Sequence, residues 1–244
     1  MLFRSIAGYT ESFGAGREDV YVVKLDANGN LQWTKTIGAK NKLSSKPSLI
    51  QTSDGGYAIA GETESFGAGQ WDVYVVKLDA SGNLQWTKTI GGRGSEEGLS
   101  LIQTSDGGYA IAGSTAFPEE KIFGFAYVVK LDANGKLQWA NIVWSPFCRK
   151  PDGGYERGSS IIETSDSGYA IAGSTNSFRS RGENVYIVKL DANGDSPGCA
   201  DPSTPKVGSG GRLSSPTSSI GSGGTLNTPT SSVRPNPTLD DLCP

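Results

Sequence analysis

The chain contains no histidine among its 244 residues. That absence removes the usual general base, the commonest metal ligand and the switch group of neutral pH together. Cysteine is scarce: Cys148, Cys199 and Cys243 show no CxxC spacing and are too few for a disulfide framework. One bridge with one thiol left over is the most they can form, and Cys199–Cys243 is the expected pair. No run of Lys or Arg occurs and the net charge is −3, so bulk electrostatics draws the chain neither to nucleic acid nor to an anionic membrane. No stretch approaches the roughly 18–20 apolar residues of a membrane-spanning helix. GxSxG, a Walker loop and HExxH are all missing, and the repeated Ser and Asp positions have no imidazole to activate them. We therefore expect neither enzymatic activity nor a cofactor nor a metal site. There is no Asn-x-Ser/Thr sequon, since Asn236-Pro237-Thr238 has Pro in the middle, so any glycan would be O-linked. Met1–Ser5 is too short for a secretory signal, which leaves a removed signal, a fragment, or export not coded here.

What the chain does have is repetition. Val20–Ile37 reads VYVVKLDANGNLQWTKTI, returns as Val73–Ile90 and Tyr127–Val143, and returns truncated as Val185–Asp195. A second phrase, LIQTSDGGYAIAG at Leu49–Gly61, recurs at Leu101–Gly113 and, varied, at Ile161–Gly173. A period near 50 residues is the mark of a propeller, a solenoid or an array. Alternating apolar residues and turn residues divide each repeat into four strands, A to D. In the second repeat A is Leu49–Thr52, B is Tyr57–Thr63, C is Asp72–Leu78 and D is Leu84–Ile90. Asp54-Gly55-Gly56 and Ala80-Ser81-Gly82-Asn83 supply the positive φ angles of tight hairpins. Four short antiparallel strands per repeat make the blade of an all-β propeller.

Asp26, Gly29 and Trp33, in step with Asp79, Gly82, Trp86 and Asp132, Gly135, Trp139, carry a resemblance. These repeats resemble those of secreted bacterial and archaeal β-propeller-repeat proteins and, more distantly, the quinoprotein-type blade. That resemblance implies export, and it implies that Trp33, Trp86 and Trp139 dock one blade on the next. The turn is one residue shorter than in the quinoprotein blade, with Lys24, Lys77 and Lys130 where Ala is usual.

Residues 1–195 read as the repeat domain, in the order BCD, ABCD, ABCD, ABC. The first blade thus lacks strand A and the last lacks strand D, and closure rests with the tail or with a neighbouring chain. Residues 196–244 form a Ser/Thr/Gly/Pro-rich tail with a 13-residue repeat and 16 Ser and Thr residues for O-glycosylation. Its regularly spaced apolar residues, Val207, Leu213, Ile220, Leu226, Val233 and Leu239, read as anchors for an extended segment docked on protein.

The remaining motifs have structural readings beside the functional ones. Gly14-Ala15-Gly16 and Gly92-Arg93-Gly94 are turns rather than phosphate loops, with no GxGxxG and no following helix. Asp26–Asn30 looks like part of a calcium loop but lacks the distal Glu and recurs at every hairpin. The strand-C lysines are expected to snorkel or to pair with Asp19, Asp72 or Asn184. The third repeat gathers Phe117, Phe123, Phe125, Trp144, Phe147 and Tyr155 in enlarged loops, either as a local core or as a ligand or partner patch. The expectation is an exported, non-enzymatic structural or adhesive protein that associates with itself. The alternatives are a carbohydrate-binding module using those aromatics, or a fragment of a larger propeller enzyme.

Overall fold

The computed structural model describes residues 4–11, 17–38, 46–67, 70–92, 94–117, 122–144, 155–176 and 182–195, together with 206–207 and 225–227. Among these residues every regular element is a strand, and the strands form four antiparallel sheets. The first blade holds β1 (Arg4–Thr10), β2 (Asp19–Leu25) and β3 (Leu31–Gly38). The second holds β4 (Ser48–Gln51), β5 (Tyr57–Thr63), β6 (Asp72–Leu78) and β7 (Leu84–Ile90). The third holds β8 (Ser95–Gln103), β9 (Tyr109–Phe117), β10 (Ile122–Leu131) and β11 (Leu137–Trp144). The fourth holds β12 (Glu156–Glu163), β13 (Tyr169–Thr175) and β14 (Asn184–Leu190). The predicted order BCD, ABCD, ABCD, ABC is the observed one.

Hairpin chemistry sets the register. Gly29, Gly82, Gly135 and Gly194 take φ between 74° and 86° in the C–D turns, a region open to Gly and strained for other residues. The aspartate opening each of these turns is engaged by the turn itself: Asp26 Oδ1 accepts from the Asn28 and Asn30 amides at 2.8 Å. Asp79, Asp132 and Asp191 accept equivalent pairs of backbone bonds. The calcium-like sequence is thus a hairpin cap. In the first three blades strand C carries a register shift at its lysine just before the turn, at Lys24/Leu25, Lys77/Leu78 and Lys130/Leu131.

The apolar core lies between blades rather than within them. Val20, Val22 and Ile37 of the first blade meet Tyr57, Ile59, Tyr74, Val76 and Leu78 of the second. Ala58, Ala60, Val73, Val75 and Ile90 meet Tyr109, Ile111, Tyr127, Val129 and Leu131 of the third. Ala110, Ala112, Ala126, Val128 and Val143 meet Tyr169, Ile171, Tyr186, Val188 and Leu190 of the fourth. Every blade therefore has a leading face, which packs on the next blade, and a trailing face, which packs on the one before. Among the described residues no core joins the fourth blade to the first.

Two short pieces of the tail add to the outer edges. β15 (Lys206–Val207) pairs antiparallel with β11, and β16 (Thr225–Asn227) pairs antiparallel with β3. Neither takes the strand-A place of the first blade or the strand-D place of the fourth.

Candidate functional site

The feature the fold repeats is the junction between blades. At its heart is the strand-C lysine, buried to 3–5% exposure in Lys24, Lys77 and Lys130. Lys77 Nζ donates to Asp54 Oδ2 at 2.8 Å and to the Leu78 carbonyl at 3.0 Å. Lys130 does the same with Asp106 and Leu131, and Lys189 with Asp166 and Leu190. Each of these aspartates also accepts from the threonine hydroxyl two residues earlier and from the glycine amide two residues later.

The expected partners Asp19, Asp72 and Asn184 are thereby corrected. They sit at the opposite end of strand C, and five residues of strand separate Asp72 from Lys77 by about 16 Å. The real partner lies in the A–B turn, delivered by the cross-strand register Ala58↔Lys77. Lys24, whose blade has no such turn among the described residues, lies 5.9 Å from the centroid of the Tyr57 ring of the next blade.

Trp33, Trp86 and Trp139 stand beside these lysines across the C–D pair. Each meets a tyrosine of the following blade edge-on: Trp33–Tyr57 at 5.4 Å, Trp86–Tyr109 and Trp139–Tyr169 at 5.6 Å. The following blade's C–D turn glycine closes over the ring. A Cβ on Gly82, Gly135 or Gly194 would stand 3.2, 3.0 or 2.7 Å from the tryptophan carbons. The three rings are half-buried rather than fully enclosed. One edge of Trp86 opens into a groove of about 620 Å³ between the second and third blades, lined also by Asp54, Gln85, Gln103, Tyr109 and Asn134.

The six aromatics of the third repeat do not all reach one place. Phe125 packs against the core between the second and third blades. Tyr155 donates through its hydroxyl to Glu183 Oε1 at 2.5 Å, beside the fourth blade. Phe117, Phe123 and Trp144 lie on β9, β10 and β11, and Phe147 lies outside the described residues. Of the tail anchors, Val207 is placed opposite Val143 and Leu226 opposite Ile37. Leu213, Ile220, Val233, Leu239, Cys148, Cys199 and Cys243 lie outside the described residues. Among the described residues no cluster of three His, Cys, Asp or Glu side chains forms a metal cage, and no helix is long and apolar enough to cross a membrane.

Sequence reasoning missed a set of buried acids. Asp72 and Glu96 both crowd the point a Cβ on Gly91 would occupy, within 2.6 Å of it. Burial raises the Glu96 carboxyl against the bonds it accepts from the Gly92 amide and the Thr115 hydroxyl, and Asp72 adds to the rise. Burial, then the neighbouring Glu97, push Glu62 up to about 7. Asp54 and Asp106 go the other way. Burial opposes their ionisation, but the lysine, threonine and glycine donors outweigh it and hold both at about 2.

The signs give a pH dependence. A carboxyl raised on folding contributes stability that is lost as pH climbs above its ordinary value, here 4.5 rising through 7. A carboxyl lowered on folding contributes stability that is lost as pH falls from 3.8 towards 2. Without histidine no imidazole masks the first effect. Thermal melts should therefore show the highest Tm in mildly acidic buffer, and Glu62→Gln should flatten the neutral limb. A Tm that climbs steadily from acid to neutral pH would contradict the assignment.

A family model agrees on the fold. Residues 52–84 match the family model for a domain of unknown function, DUF5122, described as a β-propeller. The regulatory protein FlaEY of Caulobacter vibrioides is 31% identical over 111 residues, which span 40% of this chain and 12% of FlaEY. Among solved structures, a xylan β-1,4-xylosidase from Bacillus halodurans C-125 aligns with TM-score 0.44 and 14% identity, over 84% of this chain and 40% of that one. A protein of unknown function from Bacteroides caccae aligns with TM-score 0.34 and 10% identity, over 78% and 62%. Four blade sheets together with the propeller family match make this chain an all-β propeller-repeat protein.

Proposed function

We propose that the chain is a non-enzymatic, exported scaffold or adhesive protein that associates with itself through its uncovered terminal blades and its tail. The observation that carries this reading is the exposure of the last leading face. Val185 is 82% exposed, whereas its counterparts Val20 and Val73 are at 2% and 0%. Apolar residues displayed in this way mark a surface built to be covered. The repeats support the same reading. They place one lysine–aspartate pair at successive junctions, which suits a load-spreading body better than an active site, where each residue needs its own surroundings. The Ser/Thr-rich tail suits an extracellular, O-glycosylated stalk.

A second reading, a carbohydrate-binding module, draws on the groove at Trp86. It joins aromatic faces to amide and carboxylate groups, the lining a polar ring-shaped ligand needs.

Native mass measured across a dilution series tests the first reading. Self-association predicts a mass above the 25.6 kDa of one chain that falls on dilution. A single-chain mass at every concentration would remove it. Deleting residues 196–244 should lower the melting temperature or the size of the assembly. If both stay unchanged, the tail is a stalk and takes no part in assembly.

A further inference from the structure

The two terminal blades expose opposite halves of one interface. In the second blade all seven residues of β6 are buried, because a blade covers each side. In β14 burial alternates: Tyr186, Val188 and Leu190 are covered by the third blade, while Val185 and Ile187 are 82% and 70% exposed. In β2 the alternation has the opposite phase. Val20 and Val22 are buried under the second blade, while Tyr21, Val23 and Leu25 are only half-covered. Ile6 of β1 is 57% exposed, although its counterparts Ile59, Ile111 and Ile171 are at 2% or less. Ile162 of β12, on the leading side, is 57% exposed where its counterparts Ile50 and Ile102 are half-buried. Even the salt bridge registers the difference: the Lys189 side chain is 42% exposed, against 5% for Lys77.

Resting on the self-association reading, we infer that a second copy of this chain covers both faces head to tail. The leading face of the fourth blade in each copy takes the trailing face of the first blade in the other. The two open faces are equivalent to faces already buried inside the chain. Val185 and Ile187 occupy the positions of Val73 and Val75, and Ile6, Tyr21, Val23 and Leu25 occupy those of Ile59, Tyr74, Val76 and Leu78. Those residues already form the cores between consecutive blades. The contact is heterologous, since two different patches meet, and such contacts make either a closed ring or an open fibre. Two copies of four blades make eight, at the upper end of the roughly 4–8 blades of known propellers, so a closed two-chain ring is the expected product.

The test uses the full chain and two variants, Ile187→Asp on the leading face and Ile6→Asp on the trailing face. Both residues are exposed in the single chain, so both variants should keep the far-ultraviolet spectrum of the parent. By sedimentation velocity the parent should run at two chain masses and each variant at one. An equimolar mixture of the two variants should return to two, because the intact trailing face of one meets the intact leading face of the other. If the parent is a dimer but the mixture stays at one chain mass, or if only one variant dissociates, the head-to-tail arrangement is overturned and self-association stands. A parent that grows beyond two chains with concentration overturns the closed ring. A parent at one chain mass throughout overturns both readings.

Discussion

Gly113→Ala should destabilise the protein by about 3 kcal/mol or more, while Gly8→Ala at the equivalent place should be nearly silent. A Cβ on Gly113 would stand 1.6 Å from the Glu97 carbonyl oxygen, with the Gly98 Cα at 3.2 Å. Both neighbours are backbone, so no side chain can swing aside. The site is also where the β8–β9 register shifts between Gly98 and Ser100, and opening that bulge would disturb a strand that packs on the previous blade. Gly173 repeats the geometry, with the Arg157 carbonyl oxygen 1.7 Å away. Gly8 has nothing within 4 Å, because the first blade has no strand A beside it among the described residues. Urea titrations of the two variants give the comparison. Equal losses at the two positions would mean that a strand lies against β1 after all.

Asp54→Ala should cost about 2–3 kcal/mol, because it strands the buried Lys77 ammonium with a single carbonyl partner. The loss comes from the lysine rather than from the aspartate, whose own side chain is 53% exposed. Asp106→Ala should behave alike, since Lys130 is as deeply buried as Lys77. Asp166→Ala is the internal control, with all three substitutions made in the Ile187→Asp background that leaves the fourth blade uncovered: there Lys189, 42% exposed, can be hydrated when its partner goes. Chemical denaturation of the three variants should separate the first two clearly from the third. Three equal losses would show that burial of the lysine is not what makes the pair matter.

The strand order is legible because alternation and Asp-Gly or Asn-Gly turns are local signals, and so is the lack of strand A in the first blade and strand D in the fourth among the described residues. The observed bounds of β5, β6 and β7 match the expected ones, and β4 differs from its expected span by one residue. The lysine partners are not legible from proximity in sequence, because Asp19 and Asp72 stand at the far end of strand C from its lysine. Running the hairpin register from Tyr57↔Leu78 would have brought Lys77 beside Ala58 and so to the turn at Asp54. The buried Asp72 and Glu96 were not visible for a different reason. Their approach depends on how one sheet lies over the next, and on the absence of a side chain at Gly91, which composition reads only as a turn residue. The exposed phases of β2 and β14 needed burial values, since DVYVVKL and NVYIVKL read almost alike.

Because every core is shared by two sheets and none belongs to one, a single repeat cannot hold its own shape. Such chains unfold as a row of coupled units, each stabilised by its nearest neighbours. In the single chain the outer sheets have one neighbour and the middle two have two, so native-state hydrogen exchange of the dissociated Ile187→Asp variant should be graded. Amides of β6 and β10 should open last, and those of β1 and β14 first. Joining the ends would abolish that gradient, since no unit would then be terminal.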